Sequence, residues 1–149
     1  YALERRLFDG ERQVTVLDGD NIRLGLCKDL GFSIQEKSEH LRRVAEVAKI
    51  LNQAGLICVC AFVAPDAVVR ERMKEAIGKD RFLEVYLSVP LEHCKSGRAK
   101  EYYEKAENGE LYDVPGISAP YDIPTNPDLI LNSHELSVDD CVDRVIRLL

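Results

Sequence analysis

Val14-Thr15-Val16-Leu17-Asp18-Gly19-Asp20-Asn21-Ile22-Arg23 is the stretch on which the fold turns. The β-branched apolar run, bounded by Gly10 and Gly19, reads as a short buried parallel strand. It stops on two carboxylates separated by glycine, with an arginine three residues after the second. An α/β protein presents its chemistry at the carboxyl ends of such strands. Asp-Gly-Asp-Asn is also ordinary turn chemistry, since glycine supplies positive φ and Asp or Asn caps the next helix. The rest of the chain decides between the two readings.

Downstream, Ser33 is placed to cap a long helix from about Glu36 to Gln53, with Leu41, Val44, Ala45, Ala48 and Leu51 on its inner face. Leu56 to Val63 is a nearly continuous apolar run, expected to be a central strand covered on both faces and stopped by Pro65. Asp66 caps a helix to about Ile77, Phe82 to Val89 gives a third strand, and another helix starts near Leu91. Residues 109 to 127 hold Gly109, Gly116 and four prolines and read as loop. Asp128 to Leu131 is a last strand, and Val138 to Leu149 a closing amphipathic helix. On either side of the opening strand, residues 21 to 30 read as a short helix downstream, and Tyr1 to Leu7 upstream as the back half of a helix already under way.

Strands alternating with helices imply right-handed βαβ units and a three-layer α/β fold, a parallel sheet flanked by helices. The strand exits at Asp18 to Asp20, Val63 to Pro65 and Asn132 then share one edge of the sheet, where a ligand belongs. With 149 residues there is room for one domain. A net charge of −6 argues against a general nucleic-acid or membrane-surface binder. No apolar run approaches the roughly 18 residues of a membrane span and no secretory signal opens the chain, so the cytosol is the expected compartment. Cys27, Cys58, Cys60, Cys94 and Cys141 are expected to be buried thiols, with Cys58 and Cys60 on one face of a strand and no second pair to complete a zinc site.

Several segments in one order resemble the adenylylsulfate kinase family. They are Leu17 to Arg23, Leu30-Gly31-Phe32-Ser33, Arg42 to Lys49, Phe62-Val63-Ala64-Pro65, Gly116-Ile117, Pro120-Tyr121 and Pro127-Asp128-Leu129. The resemblance covers almost the whole chain. It implies a P-loop kinase-like fold and MgATP-dependent phosphorylation of the 3′-hydroxyl of adenosine 5′-phosphosulfate, with ATP and Mg2+ as cofactors. A homo-oligomer and a fused or associated ATP sulfurylase are the partners it implies.

The resemblance also implies roles. Asp20 is the catalytic carboxylate, and Asp18 supports it or the outer shell of the magnesium. Arg23 meets the substrate's anionic group, Phe32 packs on its adenine, and the backbone at Val63 and Ala64 lines the pocket. Lys100, Tyr103, Lys105 and Ala106 align with a lid that excludes water and brings a cation near the transferring phosphate. Each has a plainer reading as well: core packing for Phe32, a solvated helix face for Arg42 and the lysines.

Departures from the family are specific. Ala64 stands where many members carry a phosphorylatable serine, Lys37 replaces an arginine and His40 an asparagine. Lysine keeps the charge and loses bidentate geometry, while His40 retains hydrogen-bonding capacity. Val114 stands where a phenylalanine often faces Phe32 across the adenine, and Arg98 is one position off an expected lid arginine. No Gly-x-x-x-x-Gly-Lys-Ser/Thr occurs in these 149 residues. The resemblance places that phosphate loop and a strand just upstream of a helix like Tyr1 to Leu7, so the expectation is an N-terminally incomplete kinase domain that does not turn over ATP as it stands. The rival expectation is a non-catalytic nucleotide-binding module that regulates a fused sulfate-activation protein, motivated by Ala64, His40 and Val114.

Overall fold

The computed structural model describes residues 1 to 97 and 99 to 149. Helix α1 (Ala2–Asp9) leads into strand β1 (Val14–Asp18), and the short helix α2 (Gly19–Leu24) follows without a break. The long helix α3 (Ile34–Gln53) precedes strand β2 (Ile57–Ala61) and helix α4 (Ala67–Ile77). After a 3-10 turn (Lys79–Arg81) come strand β3 (Val85–Leu87), helices α5 (Leu91–Ser96) and α6 (Lys100–Glu107), strand β4 (Leu129–Leu131) and helix α7 (Val138–Ile146).

Local chemistry sets these boundaries. Asp18 accepts from the N–H groups of Asp20 and Asn21 and so ends β1 and caps α2 in one residue. Ser33 and Glu36 form a reciprocal capping box at the start of α3. Asp66 caps α4 through the N–H groups of Val68 and Val69. Residues 21 to 30 are not the single short helix expected: α2 stops at Leu24, and turns held by Cys27 N–H to Ile22 O and Leu30 N–H to Cys27 O carry the chain onward. Gly25 interrupts the helix there, where glycine is a weak helix former.

Strands β1 and β2 pair in parallel with Val16 opposite Val59, and β3 and β4 pair in parallel with Tyr86 opposite Ile130. The parallel α/β character is as expected. The described strands nonetheless form two ladders of two strands each rather than one continuous sheet. Nor is β2 covered on both faces. Helix α3 packs on it, yet Cys60 and Ala61 remain exposed. An apolar run states that a strand wants burial; the number of layers over it depends on distant segments.

The core has two parts. Leu41, Ala45, Val69 and Met73 join α3 to α4, and Leu17, Val44 and Ala48 join β1 to α3. Phe62, just past β2, packs against both, as does Ile77. Helix α7 docks on α1, where Arg6 reaches Asp139 and Asp143 at 3.1 and 2.9 Å.

Of the cysteines only Cys27 is fully buried, which corrects the expectation for the other four; Cys60 is exposed and the rest are half-buried. Cys58 and Cys60 do share a face, with their Sγ atoms 3.8 Å apart. Strand alternation fixes that face, while burial again depends on what lies over it. Among the described residues no helix is long and apolar enough to cross a membrane.

Candidate functional site

The exit of β1 and the first turns of α3 bring most of the expected site residues into one neighbourhood. Asp18 Oδ1 makes the α2 cap, and Asp20, in the first turn of that helix, is exposed. A Cβ on Gly19 would lie 3.3 Å from the Phe62 ring, so glycine lets the exit of β1 close down on the exit of β2.

Arg23 closes α2. Its Nη1 donates to the carbonyls of Leu30 and Gly31 at 3.2 and 2.9 Å, and its guanidinium carbon sits 4.2 Å from the Phe32 ring centroid. These contacts set the arginine and Phe32 side by side, with Phe32 66% exposed. Glu36 holds the same turn from the other side. Its carboxylate accepts from Gly31 N–H, Ser33 N–H and Ser33 Oγ, and these bonds, the Ser33 hydroxyl first, keep its pKa below the usual carboxylate range.

Lys37 and His40 follow on the inner side of α3. Lys37 Nζ donates to the Asp113 carbonyl, which ties α3 to the proline-rich loop. Partial burial, and then the Arg23 charge, push the Lys37 pKa down. His40 is 5% exposed, its ring packed edge-on against Phe62 at 5.3 Å between centroids, and its Nδ1 is buried without a hydrogen-bond partner among the described residues. Desolvation, then Arg23 and Arg43, hold its pKa below the ordinary histidine value, favouring neutral imidazole.

Lys37, Asp113, Pro65, Pro120 and Asp122 line a cavity of about 90 Å3. Drug-sized ligands occupy clefts of roughly 300 Å3 and more, so this cavity alone is too small to enclose one. A larger hollow, about 400 Å3, runs between α3 and α4 past Arg42, Arg72 and Met73 and holds none of the residues expected to bind substrate. Of the residues expected to bind substrate, the smaller cavity is lined by Lys37.

Val63 is exposed beside Ala64, whose carbonyl is held by Arg70 at 2.8 Å. Val114 is buried, its N–H bonded to Ser118 Oγ, so it contributes to the loop's own packing. Arg42 is on a solvated face, paired with Glu39 at 2.7 Å. Lys100 stands apart on α6, exposed and 3.6 Å from Glu104, and Lys105 pairs with Glu101 on the same helix. Arg98 lies outside the described residues. Two residues that sequence reading passed over, Arg70 and Asp122, hold the loops around the cavity together. An arginine four residues after a cap carries no local signal of that role.

Among the described residues no group of three or more His, Cys, Asp or Glu is arranged to hold a metal ion.

The family profile described as Adenylylsulphate kinase matches residues 1 to 132. The chain is 43% identical to the adenylyl-sulfate kinase of Bacteroides thetaiotaomicron over 147 residues, covering 99% of this chain and 73% of that protein. It is 47% identical over 148 residues to a bifunctional enzyme CysN/CysC of Rhodopirellula baltica, where it spans 23% of the relative's length. Among solved structures it is similar to the Mycobacterium tuberculosis APS kinase CysC in complex with AMPPNP and APS. The TM-score is 0.92 and the identity 38%, covering 98% of this chain and 85% of that one.

Proposed function

Because the chain belongs to the adenylylsulphate kinase family, phosphotransferases of the P-loop kinase fold, we propose that it phosphorylates the 3′-hydroxyl of adenosine 5′-phosphosulfate from ATP. The observation that carries the reading is the cluster at the start of α3: Arg23 beside the exposed Phe32, with Lys37 and His40 one and two turns on and Asp20 at the adjoining strand exit. An anionic adenine nucleotide needs fixed positive charge next to an aromatic face, and this cluster supplies both.

In this reading Asp20 orients the 3′-hydroxyl and takes its proton as the oxygen attacks the γ-phosphorus, while the bond from that phosphorus to the β–γ bridging oxygen breaks and ADP leaves. Asp18 keeps Asp20 in place through the α2 cap. Arg23 and Lys37 face the substrate's anionic group, Phe32 the adenine, and the backbone of Val63 and Ala64 the pocket wall. His40 supports the floor from beneath Phe62. Magnesium arrives with ATP as part of the substrate and spreads the charge on its phosphates. Ala64 has no hydroxyl, so transfer is direct between the two bound substrates. Lys100 belongs to the closing lid.

The name of the R. baltica relative, a bifunctional enzyme, supports fusion to a second enzyme unit, and a solved relative described as a hexameric APS kinase from Thiobacillus denitrificans, with a TM-score of 0.71, supports self-association.

The test is ATP-dependent formation of 3′-phosphoadenylylsulfate by the natural full-length protein, with an Asp20→Ala variant alongside. We expect product from the natural protein and a loss of about 10²- to 10⁴-fold in kcat for the variant, with adenylylsulfate binding retained. Unchanged turnover in the variant removes Asp20 from the mechanism. Binding of adenylylsulfate without any product would favour the regulatory-module reading.

A further inference from the structure

Arg70 is on α4, outside the cluster described above, yet its guanidinium touches three separate segments of the chain. Nη1 donates to the Ala64 carbonyl at 2.8 Å and Nη2 to the Asp122 carbonyl at 2.7 Å. Nε lies 2.9 Å from Glu84 Oε1, off the direction of its N–H, so that contact is Coulombic. The two side chains are only 13% and 21% exposed. A cation this enclosed persists where its donors are matched. The planar fork of arginine meets two carbonyls and a carboxylate at once; lysine cannot.

The segments so joined are the exit of β2, the proline-rich loop and the approach to β3. Further bonds secure the first two: Asp122 N–H donates to the Pro65 carbonyl at 2.8 Å, and Asp122 Oδ2 accepts from Ala67 N–H at 3.0 Å. Tyr121 stacks on Tyr86 of β3. Glu84 is itself anchored, since its N–H donates to Asp128 Oδ2 at 2.7 Å. Pro65 and Asp122 line the small cavity opposite Lys37, and Asp113, at the other end of the same loop, receives the Lys37 bond. The wall facing Lys37 is therefore made of two loops with no strand pairing between them among the described residues, and one backbone bond together with the side-chain bonds of Arg70 and Asp122 keeps them in register.

We propose that Arg70 is a positioning residue for adenylylsulfate, its guanidinium holding the exit of β2 and the proline-rich loop together as one wall of the substrate site. The proposal rests on the kinase reading for the identity of the ligand. It assigns Arg70 no contact with the substrate. Its effect passes through the backbone at Ala64 and Asp122, and so falls on the acceptor substrate rather than on ATP.

The test uses the natural full-length protein and the variants Arg70→Ala and Arg70→Lys. KM for adenylylsulfate and for MgATP are measured separately, with thermal midpoints. Arg70→Ala is expected to raise KM for adenylylsulfate by about tenfold or more while KM for MgATP stays unchanged, since small misplacement of a binding wall has effects of that order. Arg70→Lys is expected to fall between, and added ethylguanidinium to restore part of the affinity of Arg70→Ala. An unchanged KM for adenylylsulfate, or equal rises for both substrates, overturns the proposal. If Arg70→Ala does not fold, Arg70→Lys carries the same reading, and failure of both to fold reduces Arg70 to a stability residue and also overturns it. Absence of product from the natural protein counts against the kinase reading alone; calorimetric binding of adenylylsulfate to natural and variant protein then decides on Arg70.

Discussion

The guanidinium of Arg23 lies 4.2 Å from the centre of the Phe32 ring, and the ring's other surroundings leave it 66% exposed. A phenylalanine held this way contributes little to folding and offers an apolar face to a planar ligand. Phe32→Ala is expected to leave the thermal midpoint nearly unchanged, because surface substitutions usually fall within about 0.5 kcal/mol. It is expected to weaken adenylylsulfate binding by up to about tenfold, the loss of an aromatic contact of about 0.5–1.5 kcal/mol. Calorimetric titration beside thermal melts separates the two effects.

His40 is buried as neutral imidazole, its pKa pushed down by desolvation and by Arg23 and Arg43. As pH falls below the ordinary value of 6.5, the unfolded chain takes up this proton and the folded chain resists it. Stability is therefore expected to decline from about pH 6.5 downward. His40→Gln should remove that part of the decline. Denaturant midpoints at about pH 7.5 and about pH 5.5 for both proteins check this.

Arg43 bridges Asp29 and Glu39, with contacts of 2.7 and 2.9 Å. Hydrogen bonds from Arg42 and then Arg43 hold Glu39 down to about 2, and the Arg43 bond lowers Asp29. For a depressed carboxylate the stabilisation is present above the unfolded pKa and is lost as pH falls through the folded one. The loss is expected between about pH 4.5 and about pH 2, most visibly at low salt because the pairs are open to solvent. Arg43→Gln should flatten the thermal midpoint across that window.

Ser33 and Glu36 cap each other at the start of the longest helix. Ser33→Ala is expected to destabilise the fold by about 1 kcal/mol, read in chemical denaturation. It should also loosen the turn that presents Phe32, so KM for adenylylsulfate is expected to rise while kcat is kept.

Caps were legible in the sequence because their chemistry is local. Asp18, Ser33 and Asp66 each bond to N–H groups two or three residues away. The cluster of Arg23, Phe32, Lys37 and His40 was legible by family resemblance, and its closeness in space follows from one turn and one helix. The arrangement of β1 with β2 and of β3 with β4 was less so, since ladders join residues more than forty positions apart and periodicity carries no register. Arg70 was invisible for the same reason: Asp122, one of its partners, is 52 residues away. The exposure of Cys60 shows the limit from another side, because a strand's composition records its own preference and not its neighbours.

Phe62 belongs to both halves of the core, backs His40 and sits where a side chain on Gly19 would intrude. Under the proposed function, robustness and substrate fit therefore draw on the same ring. On that reading, a mutational search for a hardier protein or for a new acceptor meets a shared constraint there: gains of either kind at position 62 trade against the other, and independent improvement must come from exposed positions such as Phe32, outside both halves of the core.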